Sequence, residues 1–169
     1  SGTIQAMSKY DTAIGMIGRA DYGDVLVDNS YRVAGISLFG DGVGVRGIGS
    51  TVEVTNTGEI YGIAMGGLAT GIDVYGSSSA SVVNDGFVGA SSKYGSAHGI
   101  YAVGDGDVSV TNGEYGEIDA SASHGAAWGV IGYSIGGTTT VGNAGTIAVL
   151  AQAGATGIYA GGVAGATVT

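Results

Sequence analysis

The chain has 169 residues, enough for one domain with a substantial core, and an unusual composition of 36 glycines with no proline and no cysteine. Five Lys and Arg against 14 Asp and Glu give a net charge of −9, which disfavours nucleic acid and anionic membrane as partners. Lack of cysteine excludes disulfides and thiolate metal sites, and no apolar run approaches the roughly 18 residues of a membrane-spanning helix.

Cutting the chain at Asn29, Asn56, Asn84, Asn112 and Asn143, which are spaced 27, 28, 28 and 31 residues apart, exposes one template in every segment. It reads Asn-x-Gly-x-(Ile/Val), a variable stretch, Gly-(Ile/Val), and Val-x-Val just before the next asparagine. The coils so delimited run over residues 1–28, 29–55, 56–83, 84–111, 112–142 and 143–169.

In chain order, the first element of each repeat supplies Ile4, Val33, Ile60, Val88, Ile118 and Ile147 as one inward column. Each follows a glycine by two residues except Val33, which follows Tyr31. The second element supplies Gly15-Met16, Gly44-Val45, Gly71-Ile72, Gly99-Ile100, Gly129-Val130 and Gly157-Ile158. The third places Val27, Val54, Val82, Val110 and Val141 two residues before the asparagine position, with Val25, Val52, Ala80, Val108 and Thr139 two further back. All three elements alternate a buried aliphatic with a small or polar residue, the two-residue period of a strand with one face inward.

Three short strands that recur every ~28 residues cannot bury their inner faces alone, but they can when stacked at about 4.8 Å with each strand paired to its copy above and below. The expected fold is therefore all-β: a right-handed parallel β-helix of six three-sided coils, joined by glycine-rich bends, in a single domain. The extra residues between Asn112 and Ile118 are expected to bulge as a loop. The recurring asparagines are read as a structural ladder, since their side chains can bond a tight bend, tolerate left-handed dihedrals, and bond the same residue one coil away. No signal peptide is visible, and the last segment stops where a further asparagine would follow, so the chain reads as a piece of something longer.

Three stretches, Val54-Thr55-Asn56-Thr57-Gly58-Glu59-Ile60, Val110-Thr111-Asn112-Gly113 and Asn143-Ala144-Gly145-Thr146-Ile147 with the later Gly157-Ile158-Tyr159-Ala160, resemble the loose repeats of bacterial autotransporter passenger domains and two-partner-secretion exoproteins. Tyr31 and the long Asn112 to Asn143 segment depart from the pattern. The resemblance implies a secreted protein or one on the outer-membrane surface of a Gram-negative bacterium, with its translocator outside this segment. Absence of cysteine suits such a route. The implied partners are a host or neighbouring-cell surface protein or glycan, or the chain itself, as for an adhesin or virulence factor. A similar repeat can also carry proteases or polysaccharide-processing enzymes, because fold does not dictate activity.

Chemistry must then lie in what fails to repeat. Asp105, Asp107, Glu114, Glu117 and Asp119 cluster in sequence and are weighed as the wall of a glycan lyase or hydrolase groove, against the plainer reading of a solvated acidic turn. Gly40-Asp41-Gly42 and Gly104-Asp105-Gly106-Asp107 are weighed as calcium turns at Asp105 and Asp107; without a nonapeptide period, ordinary turns and no cofactor are preferred. His98 and His124 read as loop histidines, and no nucleophile elbow, zinc helix or phosphate loop is present. Outward positions after the second element are Ile17, Arg46, Asp73, Tyr101, Ile131 and Tyr159. The candidate ligand surface is Tyr101, Tyr159, Tyr115, Glu117 and Asp119, with no catalytic residue assigned. The expected role is a non-enzymatic adhesive, self-associating or spacer segment, with a glycan lyase or hydrolase and a phage receptor-binding shaft as alternatives.

Overall fold

A computed structural model describes residues 2–169. Sixteen β-strands are its only regular elements among those residues, and every ladder is parallel. The first coil comprises β1 (Thr3–Ser8), β2 (Ala13–Arg19) and β3 (Val25–Asn29); the second, β4 (Arg32–Ser37) and β5 (Gly42–Asn56); the third, β6 (Glu59–Ala64) and β7 (Ala69–Asn84). The fourth comprises β8 (Phe87–Ser92), β9 (Ala97–Gly104) and β10 (Asp107–Asn112); the fifth, β11 (Glu117–Ala122), β12 (Ala126–Ser134) and β13 (Thr138–Asn143); the sixth, β14 (Thr146–Ala151), β15 (Gly154–Gly162) and β16 (Gly165–Val168). The chain is a parallel β-solenoid of six coils.

The first strands form one sheet in the order β1-β4-β6-β8-β11-β14. The second and third strands share another sheet, because in the second and third coils they run together as β5 and β7. A register shift between Gly49 and Thr51 lets β5 turn the corner without breaking its ladder to β7. Each asparagine closes a third strand, so a coil begins naturally at its first strand a few residues later. Residues 113–116 form the expected protrusion, a turn closed by the Gly116 amide donating to the Gly113 carbonyl at 3.0 Å.

The aliphatic columns stack in register: Ile4, Val33, Ile60, Val88, Ile118 and Ile147 along the first sheet, and Met16, Val45, Ile72, Ile100, Val130 and Ile158 along the second. With the third-strand valines these columns make one continuous core whose members from the middle coils are fully buried, but Ile4, expected in the first column, is exposed at the end coil, where no further coil covers it. Each such side chain contributes about 1.5–3 kcal/mol. A second, thinner interior lies where first and second strands face one another, filled by Ala64, Ala69, Ala90, Ala97, Ala120 and Ala127. Here the backbones come so close that a Cβ on Gly62 would strike the Thr70 carbonyl. Each coil is therefore thick on one side and thin on the other.

Glycine serves a different purpose from the one its abundance suggests. Among the described residues no non-glycine has positive φ, and Gly165 is the one glycine that does, so the corners are not left-handed bends. What glycine provides is space. A Cβ on Gly99 would collide with Ile118 Cγ2 and the Gly129 carbonyl oxygen, and Gly44, Gly71 and Gly129 meet the first-column residue of the next coil in the same way.

The asparagines form a buried ladder without left-handed dihedrals. Nδ2 of Asn29, Asn56, Asn84 and Asn112 donates to Oδ1 of the asparagine one coil on at 2.8, 2.7, 2.8 and 2.8 Å. The same amides bond carbonyls of the following turn, such as Gly58 and Gly86. No buried side-chain polar atom among the described residues lacks a partner.

Gly99→Ala should cost about 1–3 kcal/mol through overpacking, read as a lower denaturant midpoint. Asn84→Ala should cost about 1–3 kcal/mol by stranding the facing amide groups of Asn56 and Asn112. Ser50→Ala, on the outer face, should stay within about 0.5 kcal/mol.

Candidate functional site

Because stacking accounts for the interior, the outward columns hold what chemistry the chain has. Along the first sheet one column reads Arg32, Glu59, Phe87, Glu117, and the next places Tyr61 beside Gly89 and Asp119. The Arg32 guanidinium lies 4.8 Å over the Tyr61 ring, Tyr61 packs on Phe87 at 5.1 Å, and its hydroxyl donates to Glu59 at 3.1 Å. Burial together with the Glu59 carboxylate raises the Tyr61 hydroxyl above the usual phenol range. An open hollow of about 630 Å³ runs along this face, with Tyr115 and Glu117 on its wall. Asp119 borders a neighbouring hollow instead. Glu59 and Glu117 stand two coils apart with Phe87 between them.

Tyr101 and Tyr159 belong to a different surface. They stand on the second sheet in one column, with Ile131 between them. The structure therefore does not bring the five expected ligand-surface residues together; it divides them between two faces.

The second-sheet face carries the more enclosed groove. Its first outward column is Val43, Thr70, His98, Trp128, and its second is Arg46, Asp73, Tyr101, Ile131. Two residues, such as Gly44 and Val45, separate the columns, where a flat strand would place one. The strand thus bends at the glycine, at the junction of thin and thick interiors, and its outer side is concave. Val43 and Thr70 are consequently buried although they point away from the aliphatic core. A cavity of about 280 Å³ occupies the bend.

Chemically, the groove joins an ion pair to an aromatic platform. Arg46 Nε and Nη2 both meet Asp73 Oδ2 at 2.7 Å. His98 stacks on Tyr101 with ring centroids 5.5 Å apart and planes 21° apart, and meets Trp128 edge-on at 5.1 Å and 80°. At the rim, Asp41 Oδ1 accepts from the Leu68 amide at 2.8 Å. Burial lowers the pKa of His98, against a smaller opposing pull from Asp73, so the imidazole is neutral at pH 7.

His98 is thus a half-buried strand residue of β9 and not the expected loop histidine. The strand places it on the outer face, where the bend shields it. His124 does lie in a bend, 5.1 Å from Tyr94, with Nδ1 2.8 Å from the Lys93 carbonyl. The two histidines share no site.

Asp105 and Asp107 serve as acceptors between coils. Asp105 takes the Tyr75 hydroxyl at 3.0 and 3.1 Å, and Asp107 Oδ1 takes the Thr138 amide at 2.8 Å and its hydroxyl at 2.9 Å. Those Thr138 bonds hold the Asp107 carboxyl below the usual range. Among the described residues no three His, Cys, Asp or Glu side chains converge in a metal-binding group.

Trp128 and the Arg46–Asp73 pair escaped the sequence reading as parts of one site. The signal was present: Arg46, Asp73 and Tyr101 occupy one template position in successive repeats, hence neighbouring rungs, and Trp128 directly precedes the Gly129 of the second element. No protein-family model matches the chain, and no curated protein or solved structure shows a significant match. What defines its class is the fold, a parallel β-solenoid with a concave, aromatic-bearing outer face.

Because the folded state depresses the His98 pKa, the unfolded chain takes up that proton first as pH falls. The associated stability is intact above about pH 6.5 and is lost as pH falls through the folded value. Urea midpoints measured between pH 7.5 and 5.5 should decline in the parent and decline less in His98→Gln.

Proposed function

We propose that the chain is a rigid, non-enzymatic adhesive segment of a secreted or cell-surface bacterial protein, which holds its outer columns against a glycan or protein on a partner surface. The observation that carries this reading is the division of labour in the coil. Repeating residues fill the interior, whereas the residues that break the repeat are outward and include exposed or half-exposed aromatics on both sheets.

Such a rod binds by summing weak contacts along its length, which requires that the contacts be held in fixed register. Coil-to-coil pairing supplies the register. Tyrosine and tryptophan supply rigid contact area at low entropic cost. The resemblance of the repeats to autotransporter and two-partner-secretion passengers supports the exported location, as does a chain that needs no disulfide to fold.

Beads coated with the chain should bind host or bacterial surface glycans or proteins, or clump with one another, and Tyr61→Ala combined with Trp128→Ala should reduce that adhesion at least several-fold. Coated beads that neither bind nor clump would leave the chain a spacer and refute the adhesive role.

A further inference from the structure

We infer that the concave groove on the second sheet is a binding site for a neutral hexose glycan, which it holds by stacking one sugar ring on the aromatic platform and bonding its hydroxyls to the adjoining polar groups. This deepens the adhesive reading and rests on it.

The case begins with the mixture of groups. A pyranose ring has an apolar face of C–H bonds and a rim of hydroxyls, so a site for it needs a flat aromatic surface next to paired donors and acceptors. His98 and Tyr101 line the groove as a stacked pair whose outer ring face is available to a sugar, and Trp128 packs edge-on against His98 behind them. Arg46 and Asp73, on the adjacent rungs, form the polar partner. Both Arg46 contacts converge on Asp73 Oδ2, which leaves acceptor capacity on the carboxylate and donor capacity on the guanidinium for vicinal hydroxyls.

The imidazole adds a further polar group. Held neutral, the ring offers one donor and one acceptor to a ligand in the groove.

Charge selects the class of glycan. Asp73 offsets Arg46, Asp41 adds a negative rim, and the chain as a whole carries −9. An anionic polysaccharide would therefore be repelled, whereas a neutral one is indifferent to that field. Rungs about 4.8 Å apart continue the outward column past the groove to Ile131 and Tyr159, so a chain lying parallel to the solenoid axis meets further apolar surface.

Trp128 is the single tryptophan of the sequence and packs edge-on against His98, so its fluorescence reports on the groove through that contact. The folded chain would be titrated with soluble gluco-, galacto- and manno-oligosaccharides, and with polygalacturonate and heparin as anionic probes. A neutral oligosaccharide should change the Trp128 emission saturably, with little dependence on salt. His98→Ala, Tyr101→Ala and Asp73→Asn should each weaken that binding at least tenfold, whereas Glu53→Gln, exposed on the third-strand part of β5, should leave it unchanged; circular dichroism would verify that each variant retains its strands.

Binding confined to the anionic probes, or no response to any neutral oligosaccharide, overturns the assignment. If coated beads still adhere but no neutral sugar competes, or if Tyr61→Ala and not His98→Ala abolishes adhesion, the groove assignment fails while the adhesive role stands. If the beads do not adhere and no sugar binds, both fail.

Discussion

In-register parallel stacking places every side chain directly over its counterpart one coil away, about 4.8 Å distant. Each position must therefore tolerate its own repetition, and the chain meets that requirement in three ways. Aliphatics repeat because Val on Ile on Val packs well, as in the column through Val33, Ile60 and Val88. Asparagine repeats because its amide donates at one end and accepts at the other, so a column of them bonds to itself. Charges cannot repeat without repulsion, and two outer columns accordingly pass from Arg to an acid in successive coils, Arg32 to Glu59 and Arg46 to Asp73.

Close approach within a coil shapes the outer surface. Small residues bring the first and second strands nearly back to back, as at Gly62 against Thr70. Beyond the second-element glycine the walls separate to admit Ile72, Ile100 and Val130. The strand bends between the thin and thick parts, and the groove is the outer side of that bend. One glycine column thus serves the core and the groove together: inward it makes room for the next coil's first-column methyl group, and outward it turns Thr70 and Asp73, or His98 and Tyr101, to the same concavity.

The candidate site was legible in parts and not as an assembly. Arg46, Asp73 and Tyr101 could be placed in one outward column, since the template assigns them equivalent positions in neighbouring repeats. His98 and Trp128 could likewise be set in one column, each directly before its second-element glycine, but not assigned an outward face, because alternation counted from Ile100 or Val130 fails across a glycine where the strand bends. Tyr115, Glu117 and Asp119 lie close in sequence to the fourth-coil second strand that bears Tyr101, yet Tyr115 sits in the 113–116 turn and Glu117 and Asp119 stand on the other sheet, because β10 and the bends on either side of it intervene. Proximity along a solenoid chain is a poor guide to proximity on its surface, whereas separation by a whole repeat is a good one.

The sequence alone determined the period, the three inward columns, their register and the asparagine ladder, because each is a property of a residue set against its own copy about 28 positions away. Only the tertiary structure decided which outward residues meet. That depends on how sharply the chain turns within a coil, through the bend at Gly44 and its counterparts and the thin alanine seam behind it. Those features arise from contacts between different template positions, such as Gly62 with Thr70 or His98 with Tyr101, which a repeat pattern does not encode.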